Sequence, residues 1–228
     1  MAAVQKNSVL ANACVQRYYE KLIAQSMKEY HIAQEAKKIG KDTSLEVESK
    51  PSMDLADRTE NIIGPRGVAK RFRELYAQYN GNRIKAIFHI FKEILAPEQC
   101  ENTWCKIDGR EQRLDQAIRT SLVLVTEGVV IAPLDGVSRI LISKNPDGSE
   151  YVDIYYAGPI RAAGGTAAVF PLILGDYAQK LLGLGGYKPT ETEVERYVEE
   201  CTMYDELNAR QYKLGEEEIR KIVRGCPV

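Results

Sequence analysis

No stretch of this chain is apolar for long enough to cross a bilayer. The most apolar runs, Ser121–Val125 and Ala167–Leu174, fall far short of the roughly 20 residues a spanning helix needs. No basic region leads into an unbroken apolar stretch at the N-terminus, so nothing there reads as a signal peptide. A cytoplasmic protein with no membrane partner is the expectation. The five cysteines (14, 100, 105, 201, 226) are odd in number and form no C-x-x-C, and no histidine lies near the Cys100/Cys105 pair. Neither a zinc site nor a disulfide framework follows, and reduced thiols are expected. An excess of either charge is also missing: 31 Lys+Arg stand against 32 Asp+Glu. The composition, 44% hydrophobic and 28% charged, excludes a disordered or fibrous chain. Internal repeats, low-complexity tracts, G-x-G-x-x-G and G-x-x-x-x-G-K-[ST] are all lacking.

The balanced total hides an uneven distribution. Between Gly64 and Lys85 the cations Arg66, Lys70, Arg71, Arg73, Arg83 and Lys85 face only Glu74. Between Tyr187 and Glu218 four cations face ten acids. One part of the surface is thus expected to be cationic and another acidic.

Periodicity predicts an α+β chain with a mainly helical N-terminal half. A mixed half follows, with a β-hairpin and packed helices. Residues 1–13 are expected to be disordered, 14–110 to form a helical domain and 111–228 an α+β domain, with 96–110 as linker. Helices are expected from about 14 to 38, stopped by Gly40, and over Asp54–Ile63. Two more are expected, over Gly67–Asn80, broken by Gly81, and from Ile84 to Leu95, ended by Pro97. A helix through Leu114 and Ile118 should lead into a β-rich segment, Leu122–Ile131. Val137–Lys144 and Tyr151–Tyr156 flank Asn145-Pro-Asp-Gly148, which reads as a type I turn in a hairpin. A helix over Ala163–Leu182 and a glycine turn at 183–186 come next. Thr190-x-x-Glu193 is a capping-box match opening a helix to about Glu206. The last helix, Glu216–Val223, starts from the weak N-cap Gly215.

Catalytic constellations are hard to assemble. Asp135 and Asp153 are the strand-borne acids; the first sits in an ordinary Pro-Leu-Asp-Gly turn and the second stands alone. His31 and His89 lie within helices without a second His or Cys nearby, as helix-surface or core-edge residues do. Thr166 and Ser121 have no base in sequence reach. Two features fit nucleic acid. Ile62-Ile63-Gly64-Pro65-Arg66-Gly67 places G-x-x-G between helices, as KH modules do to clamp a backbone, and Arg66, Lys70 and Arg73 at i, i+4 and i+7 form one stripe. The stripe reads equally as a solvated face.

The second feature is Tyr156-Ala-Gly-Pro-Ile-Arg-Ala-Ala-Gly-Gly-Thr-Ala-Ala168. Arg161 with Gly164, Gly165 and Thr166 at a helix start can present N–H groups and a guanidinium to a phosphate. The alternatives are close helix packing at the glycines and an internal partner such as Glu127 for Arg161.

This segment closely resembles a signature of the large subunit of the archaeal family D DNA polymerase. So do Ser44-Leu-Glu-Val-Glu48, Gly64-Pro-Arg-Gly-Val-Ala-Lys70 with Arg73-Glu-Leu75, Thr126-Glu-Gly-Val-Val130 with Ala132-Pro-Leu-Asp-Gly136, and Tyr187-Lys-Pro-Thr190 with Glu195-Arg-Tyr-Val-Glu-Glu200. The resemblance runs from about Tyr18 to the last residue and covers the family's N-terminal portion. It implies a parent that synthesises DNA from deoxynucleoside triphosphates with Mg²⁺ on a primed template. It also implies a small 3′–5′ exonuclease subunit as partner, besides DNA and the remainder of the large subunit. The paired catalytic aspartates, in double-psi β-barrels, and the zinc cysteines lie further along the family sequence. This chain is therefore expected to be a truncated or split-gene piece, inactive alone, that serves assembly and DNA contact. A free-standing KH-like nucleic-acid-binding module is the alternative. A small phosphate-binding enzyme built on Arg161–Thr166 is a third reading.

Overall fold

The computed structural model describes residues 13–41, 51–100, 104–126, 135–158, 165–208 and 213–225, with the side chains of 166, 167 and 208 excepted. The chain divides into two compact units, Met1–Asp54 and Leu55–Val228.

The first unit carries α1 (Ala13–Lys38). Val15, Tyr18, Tyr19, Leu22 and Ile23 recur at helical spacing and are exposed. The helix ends in a Schellman motif: Gly40 adopts φ +76°, its N–H reaches the Lys37 carbonyl, and Lys41 N–H reaches that of Ala36. Glycine takes that left-handed conformation without the Cβ clash other residues incur.

The second unit is built on α4 (Arg83–Leu95) and α5 (Arg110–Val125), which pack against each other. Ile87, Ile90, Phe91, Ile94 and Leu95 meet Leu114, Ile118, Leu122 and Leu124 in one core, all essentially without solvent access. Each such side chain contributes about 1.5–3 kcal/mol. The hairpin of α2 (Leu55–Ile62) and α3 (Val68–Gln78) lies against this pair. Strands β1 (Val137–Lys144) and β2 (Glu150–Tyr156) pair antiparallel and pack on α5 and on α6 (Gly165–Leu182) respectively. Finally α7 (Glu191–Asn208) and α8 (Glu216–Arg224) pack on each other. The described residues thus form eight α-helices and one hairpin, the α+β architecture expected.

Local chemistry explains the ends. Gly148 N–H returns to the Asn145 carbonyl at 2.9 Å, and Gly148 adopts φ +83°, so the hairpin turn closes as its Pro-Asp-Gly sequence dictates. Thr190 and Glu193 form both halves of the capping box: Thr190 N–H to Glu193 Oε2 at 2.7 Å, and Glu193 N–H to Thr190 Oγ1 at 3.3 Å. Gly215 donates its N–H to Glu218 at 2.9 Å but has no side chain to return the bond, so α8 has half a box. Burial pushes the Tyr156 phenol up to about 12, while its hydroxyl donates to the Ala168 carbonyl of α6 at 2.8 Å.

Two expectations are corrected. Leu122–Val125 do not begin a β-rich segment but complete α5; a short apolar run buried all round fits either element, and here the helix continues. Residues 127–131 lie outside the described residues. The described residues of 96–110 are not a linker: Ala96 and Cys105 are buried, and Trp104 and Ile107 pack against the core, while the compact division falls at Asp54/Leu55. Gly81 ends α3 as expected, at φ +81° and with its N–H closing on the Tyr76 carbonyl, and Asn80 before it is left-handed too, at φ 50°. The expected disorder of 1–13 concerns residues that, Ala13 apart, lie outside the described ones.

Candidate nucleic-acid interface

The G-x-x-G corner joins α2 to α3 as expected. Gly64 and Gly67 adopt φ +78° and +94°. Several of its polar groups are engaged within the fold. The Gly64 carbonyl accepts from Thr120 Oγ1 at 2.9 Å and the Ile63 carbonyl from Gln116 Nε2 at 3.0 Å, which ties the corner to α5. At the first turn of α3 the Ala69 N–H donates to the Glu60 carboxylate at 2.9 Å. A carboxylate there satisfies the positive end of the helix and opposes a phosphate at the same place. A Cβ on Gly67 would stand 3.5 Å from the Trp104 ring, an ordinary contact, so it is the left-handed turn and not a lack of space that calls for glycine here. The corner runs on into α4, and among the described residues no strand pairs beside it. These contacts give the corner a structural part in tying α2 and α3 to α5.

The cationic stripe is real but partly committed. Arg66 and Lys70 are exposed, Lys70 at 85% with Glu74 at 3.9 Å, and Arg73 donates to Asp57 on α2 at 2.6 Å. Exposed pairs of this kind contribute at most about 1 kcal/mol, and a phosphate can replace the carboxylate. Arg71, one residue off the stripe, has a different fate. Its guanidinium forks onto the buried Glu93, Nη2 to Oε1 at 2.5 Å and Nε to Oε2 at 2.9 Å, and also reaches Glu74 at 3.1 Å. The hydrogen bond to Glu93, chiefly, holds the guanidinium pKa above its ordinary value.

Glu93 collects two more partners. Trp104 Nε1–H donates to it at 2.6 Å, and His89 Nε2 lies 3.2 Å away. On its other side His89 Nδ1 meets the Tyr79 hydroxyl at 2.7 Å. An imidazole with its proton on Nε2 serves both contacts, donating to Glu93 and accepting from Tyr79. The signal for this cluster stood in the sequence: Glu93 falls on the same helical face as Ile90 and Ile94, so its carboxylate had to be buried and partnered.

Beside this cluster lies an open groove of about 740 Å³, with Arg71, Tyr79, Lys85, His89, Lys92 and Tyr177 in its walls. It brings α3, α4 and α6 together. Burial raises the pKa of the Cys100 thiol at its end, so that thiol is not an activated nucleophile.

The signature segment is divided. Gly158 is described, but Arg161 and Gly164 lie outside the described residues, as does the proposed partner Glu127. Gly165 opens α6, and Thr166 follows in its first turn. Among the described residues nothing stands within 4 Å of a Cβ built on Gly165, so the expected close backbone approach is not found there. Asp153 accepts from Ser143 at 3.1 Å, in the ordinary structural part foreseen for it. Among the described residues no group of three or more His, Cys, Asp or Glu side chains is placed to hold a metal ion.

Comparison with known proteins decides the family. Residues 17–228 match the family described as DNA polymerase II large subunit DP2, N-terminal. The chain belongs to this family. It is 44% identical over 212 residues to the DNA polymerase II large subunit of Methanosphaera stadtmanae, covering 92% of this chain and 19% of that protein. The large subunit of Methanococcoides burtonii is 41% identical over 220 residues, covering 96% and 19%. For Pyrococcus abyssi the figures are 42% over 217 residues, 94% and 14%. The chain thus spans less than a fifth of the length of these family members.

Proposed function

We propose that this chain is the N-terminal part of the large subunit of an archaeal replicative DNA polymerase, and that it contributes DNA contact and assembly rather than nucleotidyl transfer. The observation that carries this reading is the unbroken family match over residues 17–228. Template-directed synthesis, its Mg²⁺ and the exonuclease subunit belong to the larger protein that the match implies. The surfaces fit the two roles given to this chain. The α3 stripe is cationic and solvent-facing, and α7 and α8 expose Tyr197, Met203, Tyr204, Leu207 and Ile222 for a protein partner.

Two measurements test the reading. The purified chain should extend no primer at any Mg²⁺ concentration, because a two-metal site needs clustered carboxylates. Sustained nucleotide incorporation would refute that. Lys70→Glu with Arg73→Glu should weaken binding to all duplex sequences alike and reduce the salt slope by about 2, near 0.9 per lost phosphate contact. An unchanged slope, with the fold intact by circular dichroism, would leave the stripe a merely solvated face.

A further inference from the structure

We propose that the groove between α3, α4 and α6 binds single-stranded nucleic acid, with an unpaired base against its aromatic wall and flanking phosphates on Lys85 and Lys92. The proposal rests on the DNA-contact reading and narrows it to one strand form and one place.

Lys85, Phe88, His89 and Lys92 fall at i, i+3, i+4 and i+7 of α4 and form one face of the groove. The charges there do not cancel. Arg71 is committed to Glu93 and Glu74, whereas Lys85 and Lys92 make no ion pair with any described residue. Among the described residues that line it the one carboxylate, Glu93, is buried and saturated by Arg71, Trp104 and His89, so it presents no open lone pair to a phosphate. Glu98, near the far end, is turned to Arg113 at 3.1 Å. Two uncompensated cations therefore face solvent across a neutralised floor.

The wall supplies the second half of the recognition. Phe88 meets Tyr177 edge-on at 5.3 Å, and Tyr177 in turn contacts Phe91 of the core at 5.7 Å. Tyr79 is held by its hydrogen bond to His89. These half-buried rings are fixed before any ligand arrives, so a base meets a preset surface and little conformational entropy is lost. Rings beside a cationic track are the means by which proteins hold single strands without reading sequence. A volume of about 740 Å³ has room for a nucleotide, and only an unpaired base can leave its stack to reach the rings.

The test uses the whole chain and a fluorescent oligodeoxythymidylate of about a dozen nucleotides, within the usual single-strand site sizes. By anisotropy, Lys85→Gln with Lys92→Gln should weaken binding roughly tenfold or more and lower the salt slope by about 1.4, near 0.7 per phosphate on a single strand. Unlabelled duplex of equal length should compete poorly. With 5-iododeoxyuridine in the strand, photo-adducts should map to Tyr79, Phe88, His89 or Tyr177. Wild-type binding by the lysine variant, equal competition by duplex, or adducts only elsewhere would each overturn the groove while leaving DNA contact standing. If the wild-type chain bound neither strand form, the DNA-contact reading would fall and the groove with it.

Discussion

Glu93→Ala should destabilise the 55–228 unit by about 3–5 kcal/mol, the loss typical of breaking a buried ion pair from one side. The Glu93 side chain is only 2% exposed and its partner Arg71 14%, so neither charge has water to fall back on. Removing the carboxylate leaves the guanidinium with the half-exposed Glu74 alone and the Trp104 N–H without its acceptor. At this size each kcal/mol corresponds to about 2–4 °C, so the melting temperature should drop by roughly 10 °C. The informative companion is Arg71→Met with Glu93→Leu, which deletes both charges and keeps the volume. It should recover much of the loss, since a buried pair often gains little over well-packed apolar groups. Calorimetry of the three chains decides the matter. A single variant melting within about 2 °C of wild type would show that the cluster is far more hydrated than its burial indicates.

A comparable loss, about 3–5 kcal/mol, should follow Phe91→Ala. Phe91 has no solvent access, and its removal opens a hole between α4 and α6 where its ring stands 5.7 Å from that of Tyr177. Because Tyr177 also lines the groove, this core substitution should disturb the groove wall as well as stability. Phe91→Leu should restore most of the stability, as it leaves a smaller void. Urea unfolding measures both. A midpoint for Phe91→Ala equal to that of the leucine variant would mean that the site collapses around the deletion.

Glu93 also marks where the sequence ceases to be legible. Elements whose chemistry is local were legible: the Thr190–Glu193 box, the Asn145–Gly148 turn and the glycine ending α1 each satisfy backbone groups within a few residues. The family, too, was legible in short quoted segments. What failed depended on partners distant in sequence. Leu122–Val125 read as β-rich because a buried helix and a buried strand share the same apolar run. Arg71 was counted with the surface cations because its partner Glu93 lies on another helix. Trp104 and Cys105 read as linker because nothing near them in sequence reveals that the core takes them in. The groove was invisible for the same reason, since no single segment contains it.

Trp104 is the chain's one tryptophan, and its indole hydrogen-bonds to Glu93 inside the 55–228 unit. The α1 helix carries tyrosines but no indole. Tryptophan emission is thus a local gauge, whereas far-ultraviolet dichroism registers every helix in both units. Recorded on one sample during heating, the two signals will separate wherever α1 melts on its own. No label or truncation is needed to follow them.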